Sequence, residues 1–204
     1  MRLMADATST NFNNLPTGIM RAGYVTGTPD IKWTLQQIST ASVTIDQGGD
    51  GSPVGIADVR DVEAGAWTMA AAVSLAGWTA PRPTIYTSLD NLPALEQAGW
   101  KGDVWVADYT GTQPSSPPAM PAGMTCVAVQ YTDQGGGGTY DLSVVFDPIW
   151  PEADVIIPGV PGTWLAMPTA FTGSNGDAIY VGYGTDGTVW WAKYSAGAWT
   201  AGQL

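Results

Sequence analysis

Eight short runs of apolar and β-branched residues, separated by turns or short polar stretches, occupy residues 2–147 of this sequence. Runs of this length are typical of β-strands, and several are almost continuously apolar, as in a parallel sheet that is buried on both faces. The predicted strands are Arg2–Ala7, Ile19–Thr26, Val43–Gln47, Ala57–Glu63, Thr84–Ser88, Val104–Tyr109, Cys126–Thr132 and Asp141–Asp147. Few folds can bury eight such strands in so short a chain.

Helical patterns lie between some of these strands. Residues 29–38, Trp67–Ala76 and Ser88–Ala98 each carry an apolar stripe or an alanine-rich stretch. The connections Gly111–Gly123 and Gln134–Thr139 are instead rich in proline or glycine. Strands that alternate with helices predict an α/β protein, here a small (β/α)8 barrel of the TIM type with reduced helices. An open doubly wound sheet is the alternative.

The remainder of the chain has a different composition. The barrel is predicted to span residues 1–151, and a proline-rich linker, residues 152–162, follows it. Residues 163–204 are predicted to form a small Trp-rich β module, in which Ala178–Tyr183 and Thr188–Tyr194 form a hairpin. The pattern resembles one blade of a propeller or a lectin-like repeat. Because one such unit cannot bury its own apolar face, we expect it either to bind carbohydrate or to mediate oligomerisation or docking.

Composition excludes several classes of function. The chain has no histidine and a single cysteine, which excludes Ser-His-Asp catalysis, histidine-ligated zinc and an internal disulfide. Cys126 lies in an apolar run and is interpreted as an inert buried thiol. We therefore expect no metal and no cofactor.

The charge and the hydropathy of the chain limit which binding partners and which cellular location we expect. The net charge is −11, which disfavours nucleic acid and anionic membranes as partners. The sequence shows neither a signal-peptide pattern nor an apolar stretch long enough to span a membrane. We therefore expect synthesis in a cytoplasm, with release by some other route.

Acidic residues lie at or near the ends of most predicted strands. These acids are Asp6, Asp46, Asp61, Glu63, Asp108 and Asp147. In a (β/α)8 barrel the carboxyl ends of the strands converge on one mouth, which carries the active site. Asp103 and Asp141 begin strands, so they are expected at the opposite end.

The sharpest local motif is Asp61-Val62-Glu63. On a strand, residues i and i+2 point to the same face, so both carboxylates are expected in the barrel mouth, and Asp58 and Arg60 on the opposite face, toward a covering helix. Two carboxylates in one pocket push their pKa values apart, which supplies the proton donor and the ionised partner needed to hydrolyse a glycosidic bond.

Aromatic residues complete the predicted sugar site. Tyr86, Tyr109 and Tyr131 lie on or beside strand ends, where their rings can pack against the apolar faces of sugars. Trp105 is predicted to belong to the barrel core.

The order of motifs resembles that of the family-25 glycoside hydrolases, the lysozyme-type N-acetylmuramidases, and of small barrel proteins from phages of actinobacteria. The motifs, in the order of the predicted strands, are Met4-Ala5-Asp6, Arg21–Val25, Asp61-Val62-Glu63, Ile85-Tyr86-Thr87, Trp105–Tyr109, Val129-Gln130-Tyr131 and Tyr140–Asp147. The resemblance covers about residues 2–151. It implies a barrel that cleaves the β-1,4 bond between N-acetylmuramic acid and N-acetylglucosamine.

The resemblance also implies roles for residues. Glu63 is the expected general acid, Asp61 its electrostatic or nucleophilic partner, and Asp6 a group that orients the substrate or its reacting amide. The residues expected to contact substrate are Asp46, Tyr86, Asp108, Tyr109, Gln130, Tyr131 and Asp147. The expected partner is bacterial cell-wall polysaccharide, and the expected location is a phage virion or the host cytoplasm before release. The alternative is a non-catalytic virion protein, a tail or head appendage, that binds cell wall or neighbouring subunits, or a second copy of itself, through residues 163–204.

Overall fold

The computed structural model describes residues 1–48, 57–78, 80, 82–148, 150–151, 169–172, 178–183, 189–195 and 198–203. The chain divides into two compact units, Met1–Pro151 and Glu152–Leu204. The predicted linker, residues 152–162, lies outside the described residues.

The first unit is a closed barrel of eight strands that neighbour one another in sequence order. Its strands are β1 (Arg2–Asp6), β2 (Met20–Tyr24), β3 (Val43–Asp46), β4 (Val59–Asp61), β5 (Thr84–Ser88), β6 (Gly102–Ala107), β7 (Met124–Gly135) and β8 (Tyr140–Val145). Each lies within or overlaps one of the eight predicted strands. The closed barrel is therefore present, and the open sheet is not.

The direction of the last strand differs from the prediction. Strands β1 to β7 run parallel, but β8 runs antiparallel to both β7 and β1. Only Gly136–Thr139 separates β7 from β8. A parallel crossover needs a dozen or more residues, whereas a hairpin needs very few, so this connection can only reverse the chain. The predicted helix–strand alternation of a (β/α)8 barrel consequently does not extend to β8.

The helices are shorter than predicted. They are α1 (Leu35–Ile38), α2 (Met69–Ala72) and α3 (Leu92–Gln97), together with short 3₁₀ helices at Ser9–Asn14 and Leu89–Asn91. The helix expected to begin near residue 29 begins only after Thr34, whose side chain forms a capping box with Gln37. Just before it, Trp33 is buried and donates from Nε1 to the carbonyl of Ala7, 2.7 Å away. The backbone amide of Trp33 donates to the carbonyl of Tyr24 on β2, and not to a carbonyl one helical turn earlier.

Alternate residues of the strands fill the barrel interior. Met4, Val59 and Trp105 belong to this interior cluster. Trp150 is completely buried in the same cluster, with its ring centroid 6.3 Å from that of Trp105, and its Nε1 donates to Oγ1 of Thr84. Since Thr84 begins β5, Trp150 occupies the end of the barrel opposite the carboxyl ends of the parallel strands.

Arg60 holds the outer layer beside β4. Its guanidinium lies between the rings of Trp67 and Trp78, at 4.7 and 4.1 Å from their centroids. It donates to the carbonyls of Ala72 and Ala76 at 3.1 and 3.0 Å, where α2 ends and the following loop begins. The prediction that Arg60 faces a covering helix is thus confirmed. Asp58 instead accepts a hydrogen bond from the amide of Thr44 on β3.

The second unit contains a four-stranded antiparallel sheet in the order β12-β11-β10-β9. Its strands are β9 (Thr169–Thr172), β10 (Ala178–Tyr183), β11 (Val189–Ser195) and β12 (Ala198–Gln203). The predicted pairing of residues 178–183 with the following run is confirmed, because Ala178 pairs with Tyr194 and Tyr183 with Val189. None of the helices described in either unit has the length and hydropathy needed to cross a bilayer.

Candidate functional site

The carboxyl ends of the parallel strands surround a cavity of about 250 Å³. Four of the described residues that line it carry carboxylates, Asp6, Asp61, Glu63 and Asp141. Among the described residues of the lining there is no lysine or arginine. The cavity is smaller than the roughly 300–1,000 Å³ of sites that enclose drug-sized ligands, so it suits a group about the size of one sugar unit.

Three of these acids were expected at the mouth. Asp6 ends β1 and Asp61 ends β4. Each lies two residues after an interior residue of its strand, Met4 and Val59 respectively, and therefore on the same face. Oδ1 of Asp61 accepts from the amide of Glu63 at 2.8 Å, which fixes the turn that follows β4. The sequence therefore placed these three carboxylates correctly, because strand alternation is a local property.

Asp141 was expected at the opposite end of the barrel, and this prediction is wrong. It lies near the start of β8, and because β8 is antiparallel its start is at the cavity. Asp141 is paired in register with Asp6. The short glycine-rich connection before β8 was the sequence signal that could have revealed this reversal.

Gln130 lies at the centre of the site and is only 2% exposed. Its Nε2 donates to Oδ1 of Asp6 at 3.1 Å and to Oδ2 of Asp141 at 2.9 Å. Its Oε1 accepts from the hydroxyl of Tyr109 at 2.8 Å and from that of Tyr86. The two phenolic oxygens lie 3.1 Å apart. One amide therefore joins two acids on one side of the cavity to two tyrosines on the other.

The pKa values of Asp61 and Glu63 are pushed in opposite directions. Burial raises the pKa of Asp61 to about 6, although hydrogen bonds from Ala64 N, Glu63 N and Gln47 act to lower it. Partial burial also opposes ionisation of Glu63, but three donors on its Oε1 outweigh it, so its pKa is lowered. The three donors are Ser88 N at 2.7 Å, Asn91 Nδ2 at 2.9 Å and Thr87 Oγ1 at 2.9 Å. Of these two residues, Asp61 is thus the one that can hold a proton near neutral pH, where the resemblance implied Glu63.

The second pair of acids is also shifted. Burial, reinforced by the charge of Asp141, raises the pKa of Asp6 well above its ordinary value, although hydrogen bonds from Tyr24 and Gln130 favour its ionised form. Burial and the charge of Asp133 raise the pKa of Asp141 to about 6. Two carboxyls that share one amide donor in a buried site resist being charged together.

Asp147 lies at the far end of the barrel, which contradicts its expected role in contacting substrate. It lies two residues after the end of β8, the antiparallel strand, and its Oδ2 accepts from Nη2 of Arg82 at 2.7 Å. Arg82 also contacts Asp103, which lies near the start of β6. The reversal of β8 therefore exchanges the expected positions of Asp141 and Asp147.

Two further residues that were predicted to contact substrate, Asp46 and Asp108, do not line the cavity. Asp46 follows the interior residue Ile45, so its buried side chain faces outward and accepts from Oγ1 of Thr26 at 2.8 Å. Asp108 likewise follows the interior residue Ala107 and does not line the cavity. Successive side chains of a strand point to opposite faces, so strict alternation would have excluded both residues from the predicted site.

Tyr131 is turned outward by a β-bulge. The register between β6 and β7 shifts at Val104/Trp105, so that Cys126 and Ala128 pair with successive residues and Val127 is the extra one. Val127 and Ala128 both join the interior cluster, and the alternation beyond them places Gln130 inside and Tyr131 outside. Of the predicted tyrosines, Tyr86 and Tyr109 line the cavity. Trp105 is buried, as expected, and its ring forms part of the lining.

Cys126 is buried, and burial raises the pKa of its thiol to about 12, in agreement with the predicted inert role. No group of acids and cysteines within the described parts of the chain is arranged to hold a metal ion.

Comparison with protein-family models, curated proteins and solved structures finds no match to this chain.

Proposed function

We propose that the barrel is a glycoside hydrolase directed at bacterial peptidoglycan and of the N-acetylmuramidase type. The observation that carries the proposal is the pair Asp61 and Glu63 at one small cavity, with pKa values displaced in opposite directions. Hydrolysis of a glycosidic bond needs one protonated and one ionised carboxyl beside the scissile oxygen.

Asp61 is the proton donor in this proposal. Asp61 is only 6% exposed, and its carboxyl keeps a proton up to about pH 6. Glu63 is the ionised partner, because its three hydrogen-bond donors stabilise the carboxylate. An anion held in this way can stabilise the positive charge that develops on the sugar ring. This assignment reverses the roles that the family resemblance implied.

Asp6 and Asp141 support the reacting pair. Asp6 accepts from Tyr24 and Gln130 and so holds the Gln130 amide beside Asp141, which can accept a hydrogen bond from a substrate hydroxyl or amide. The exposed edge of Tyr109, which is 55% accessible, offers an aromatic surface at the mouth on which a sugar face can pack.

The resemblance to the family-25 hydrolases supplies the substrate. Its motifs lie on β1, β2 and β4 to β8 of the closed barrel, and by that resemblance the bond cleaved joins N-acetylmuramic acid to N-acetylglucosamine. The same resemblance supports a barrel of (β/α)8 lineage, reduced in its helices, and a phage-borne protein that reaches the wall by lysis or within a virion.

The second candidate is a non-catalytic virion protein. The observation that favours it is the four-stranded antiparallel sheet of the second unit, since a single small sheet of this kind is suited to docking on another surface. In that case the barrel would bind cell wall or neighbouring subunits without cleaving anything.

Cleavage of purified peptidoglycan separates the two candidates. We expect the wild type to release muramic-acid reducing ends, and Asp61→Asn and Glu63→Gln each to lower the rate at least about hundredfold. Both variants keep an oxygen that can accept the local hydrogen bonds, so folding is expected to persist. Glu96→Gln, on the exposed side of α3, is the matched control and should cleave like the wild type. Binding of the wall without cleavage by the wild type would favour the virion protein.

A further inference from the structure

Most of the side-chain hydrogen-bond donors that line the cavity are engaged within the protein, Nε2 of Gln47 among them through one long bond of 3.5 Å to Oδ2 of Asp61. The protons of Tyr86 and Tyr109 remain within the trio they form with Oε1 of Gln130, whichever phenol donates to the other. The hydroxyl of Tyr24 donates to Oδ2 of Asp6 at 3.1 Å, and Nε1 of Trp105 donates to Oγ of Ser143 at 3.1 Å. Side-chain donors are thus scarce along the described lining.

Gln130 is the residue that engages most of them. A glutamine amide has two protons and one carbonyl oxygen, and here both protons point to carboxylates and the oxygen receives phenols. Because Gln130 is buried, water does not compete for these bonds. Its orientation therefore decides which hydrogen-bonding groups remain for a ligand.

The groups that remain are acceptors. They include the carboxylates of Asp61, Glu63 and Asp141, and the lone pairs of the two phenolic oxygens. The pKa values of Asp61 and Asp141 are about 6, so at pH 7 both carboxyls are ionised and accept hydrogen bonds rather than donate them. A ligand in this cavity is therefore held chiefly through its own donors, and a ligand anion meets no cationic side chain among the described residues of the lining.

We propose that Gln130 determines specificity, by making the cavity a surface of acceptors that seats a sugar unit with hydroxyl or amino donors and rejects one with a free carboxylate. The inference rests on the proposed function and narrows its substrate. In a wall glycan, a glucosamine unit with a free amino group is then favoured most. A muramic unit enters only when its carboxylate is in amide linkage to peptide.

The test compares three ligands by calorimetry at pH 7, with the wild-type full chain. They are the β-1,4-linked trisaccharides of glucosamine and of N-acetylglucosamine, and cellotriose oxidised to carboxylates at C6. We expect glucosamine to bind at least about tenfold more tightly than the carboxylated sugar, the effect of about one charge-assisted hydrogen bond, with N-acetylglucosamine between them. Dissociation constants for the first and third ligand within threefold of each other, or no binding by any, would overturn the proposal.

Gln130→Met tests the residue itself. It removes the amide at similar length and releases the two phenolic protons, so we expect the preference to fall below about threefold. Gln134→Met, on the exposed hairpin side, is the matched control and should retain the full preference. An unchanged preference in Gln130→Met overturns the role of Gln130. If this variant does not fold, the wild-type ligand series decides.

Digestion of purified peptidoglycan at pH 5, where Asp61 keeps its proton, separates this inference from the proposed function. A preference for glucosamine without cleavage of peptidoglycan at pH 5 supports the specificity and rejects the hydrolase. Cleavage of peptidoglycan, together with dissociation constants for glucosamine and the carboxylated sugar within threefold of each other, supports the hydrolase and overturns the specificity.

Discussion

Asp6 and Asp141 face each other across the seam of the barrel, where the first strand pairs with the last, and the side-chain amide of Gln130 donates to both. The two acids are far apart in the sequence and come together only because β8 runs antiparallel to β1. Their shared donor and their burial make the ionisation of one depend on the other.

The coupling predicts a titration change in Asp141→Asn. We expect the pKa of Asp6 to fall, since the charge of Asp141 helps to raise it, and to stay above 3.8, since burial is the larger cause. Carbon-13 NMR of the aspartate carboxyls measures this directly. Asp90→Asn, an exposed substitution away from the cavity, should leave Asp6 unchanged. An Asp6 pKa that is the same in Asp141→Asn and the wild type would contradict the coupling.

The proposed roles of Asp61 and Glu63 predict an acidic activity optimum. Asp61 must keep its proton, which it loses as the pH rises through about 6. Glu63 must be ionised, which its pKa, lowered from 4.5, allows down to lower pH. Activity on peptidoglycan should therefore be highest below about pH 6 and decline above it. An optimum at pH 8 would exclude Asp61 as the proton donor.

The same shifts predict how stability depends on pH. Asp58, Asp61 and Asp141 have folded-state pKa values of about 6, above the ordinary 3.8, so the folded state binds their protons more tightly than the unfolded state does. The stabilisation is complete below about pH 4 and is lost as the pH rises through about 6. We expect the free energy of unfolding, measured in urea, to decrease over this window.

Asp61→Asn should reduce this decrease in the free energy of unfolding with rising pH. The shift at Asp61 corresponds to about 3 kcal/mol, so we expect the variant to exceed the wild type in stability at pH 7 by up to that amount. The gain should vanish below about pH 4, where the wild-type carboxyl is protonated. A variant that is less stable than the wild type at pH 7 would show that ionised Asp61 stabilises the fold.

Arg60 is expected to be a major source of stability in the outer layer. Arg60→Met keeps an apolar stem between Trp67 and Trp78 but leaves the carbonyls of the α2 end without their donor. We expect a loss of about 2–4 kcal/mol in urea unfolding. Arg21→Met, which removes a cation–π contact with Phe12 at 5.4 Å, should cost less than about 1 kcal/mol. Equal losses in the two variants would refute the special role of Arg60.

Trp150 is expected to be essential for closing the far end of the barrel. Trp150→Ala removes a fully buried indole and should cost about 3–5 kcal/mol. Trp150→Phe keeps most of the apolar contact but loses the hydrogen bond to Thr84 and should cost roughly 1–3 kcal/mol. Thermal unfolding of both variants checks the order. A Phe variant as unstable as the Ala variant would mean that the hydrogen bond, and not the packing, dominates.

The local patterns were sufficient for much of the fold. Apolar runs located all eight barrel strands, and the two-residue period placed Asp61 in the cavity and Arg60 against the outer layer. These properties depend on neighbours in the chain, so the sequence reveals them directly. The same period, applied strictly, would also have turned Asp46 and Asp108 away from the site.

The tertiary structure alone decided the rest. The antiparallel direction of β8 brought Asp141 to the cavity and took Asp147 away, and the bulge at Val127 turned Tyr131 outward. Proton affinity was also decided there, because burial raises the pKa of Asp61 while three donors from β5 and the 3₁₀ helix after it lower that of Glu63. Strand direction, register and desolvation arise from contacts between distant segments. The sequence by itself determined which residues form strands and which face each one presents, and long-range pairing determined which of those faces meet.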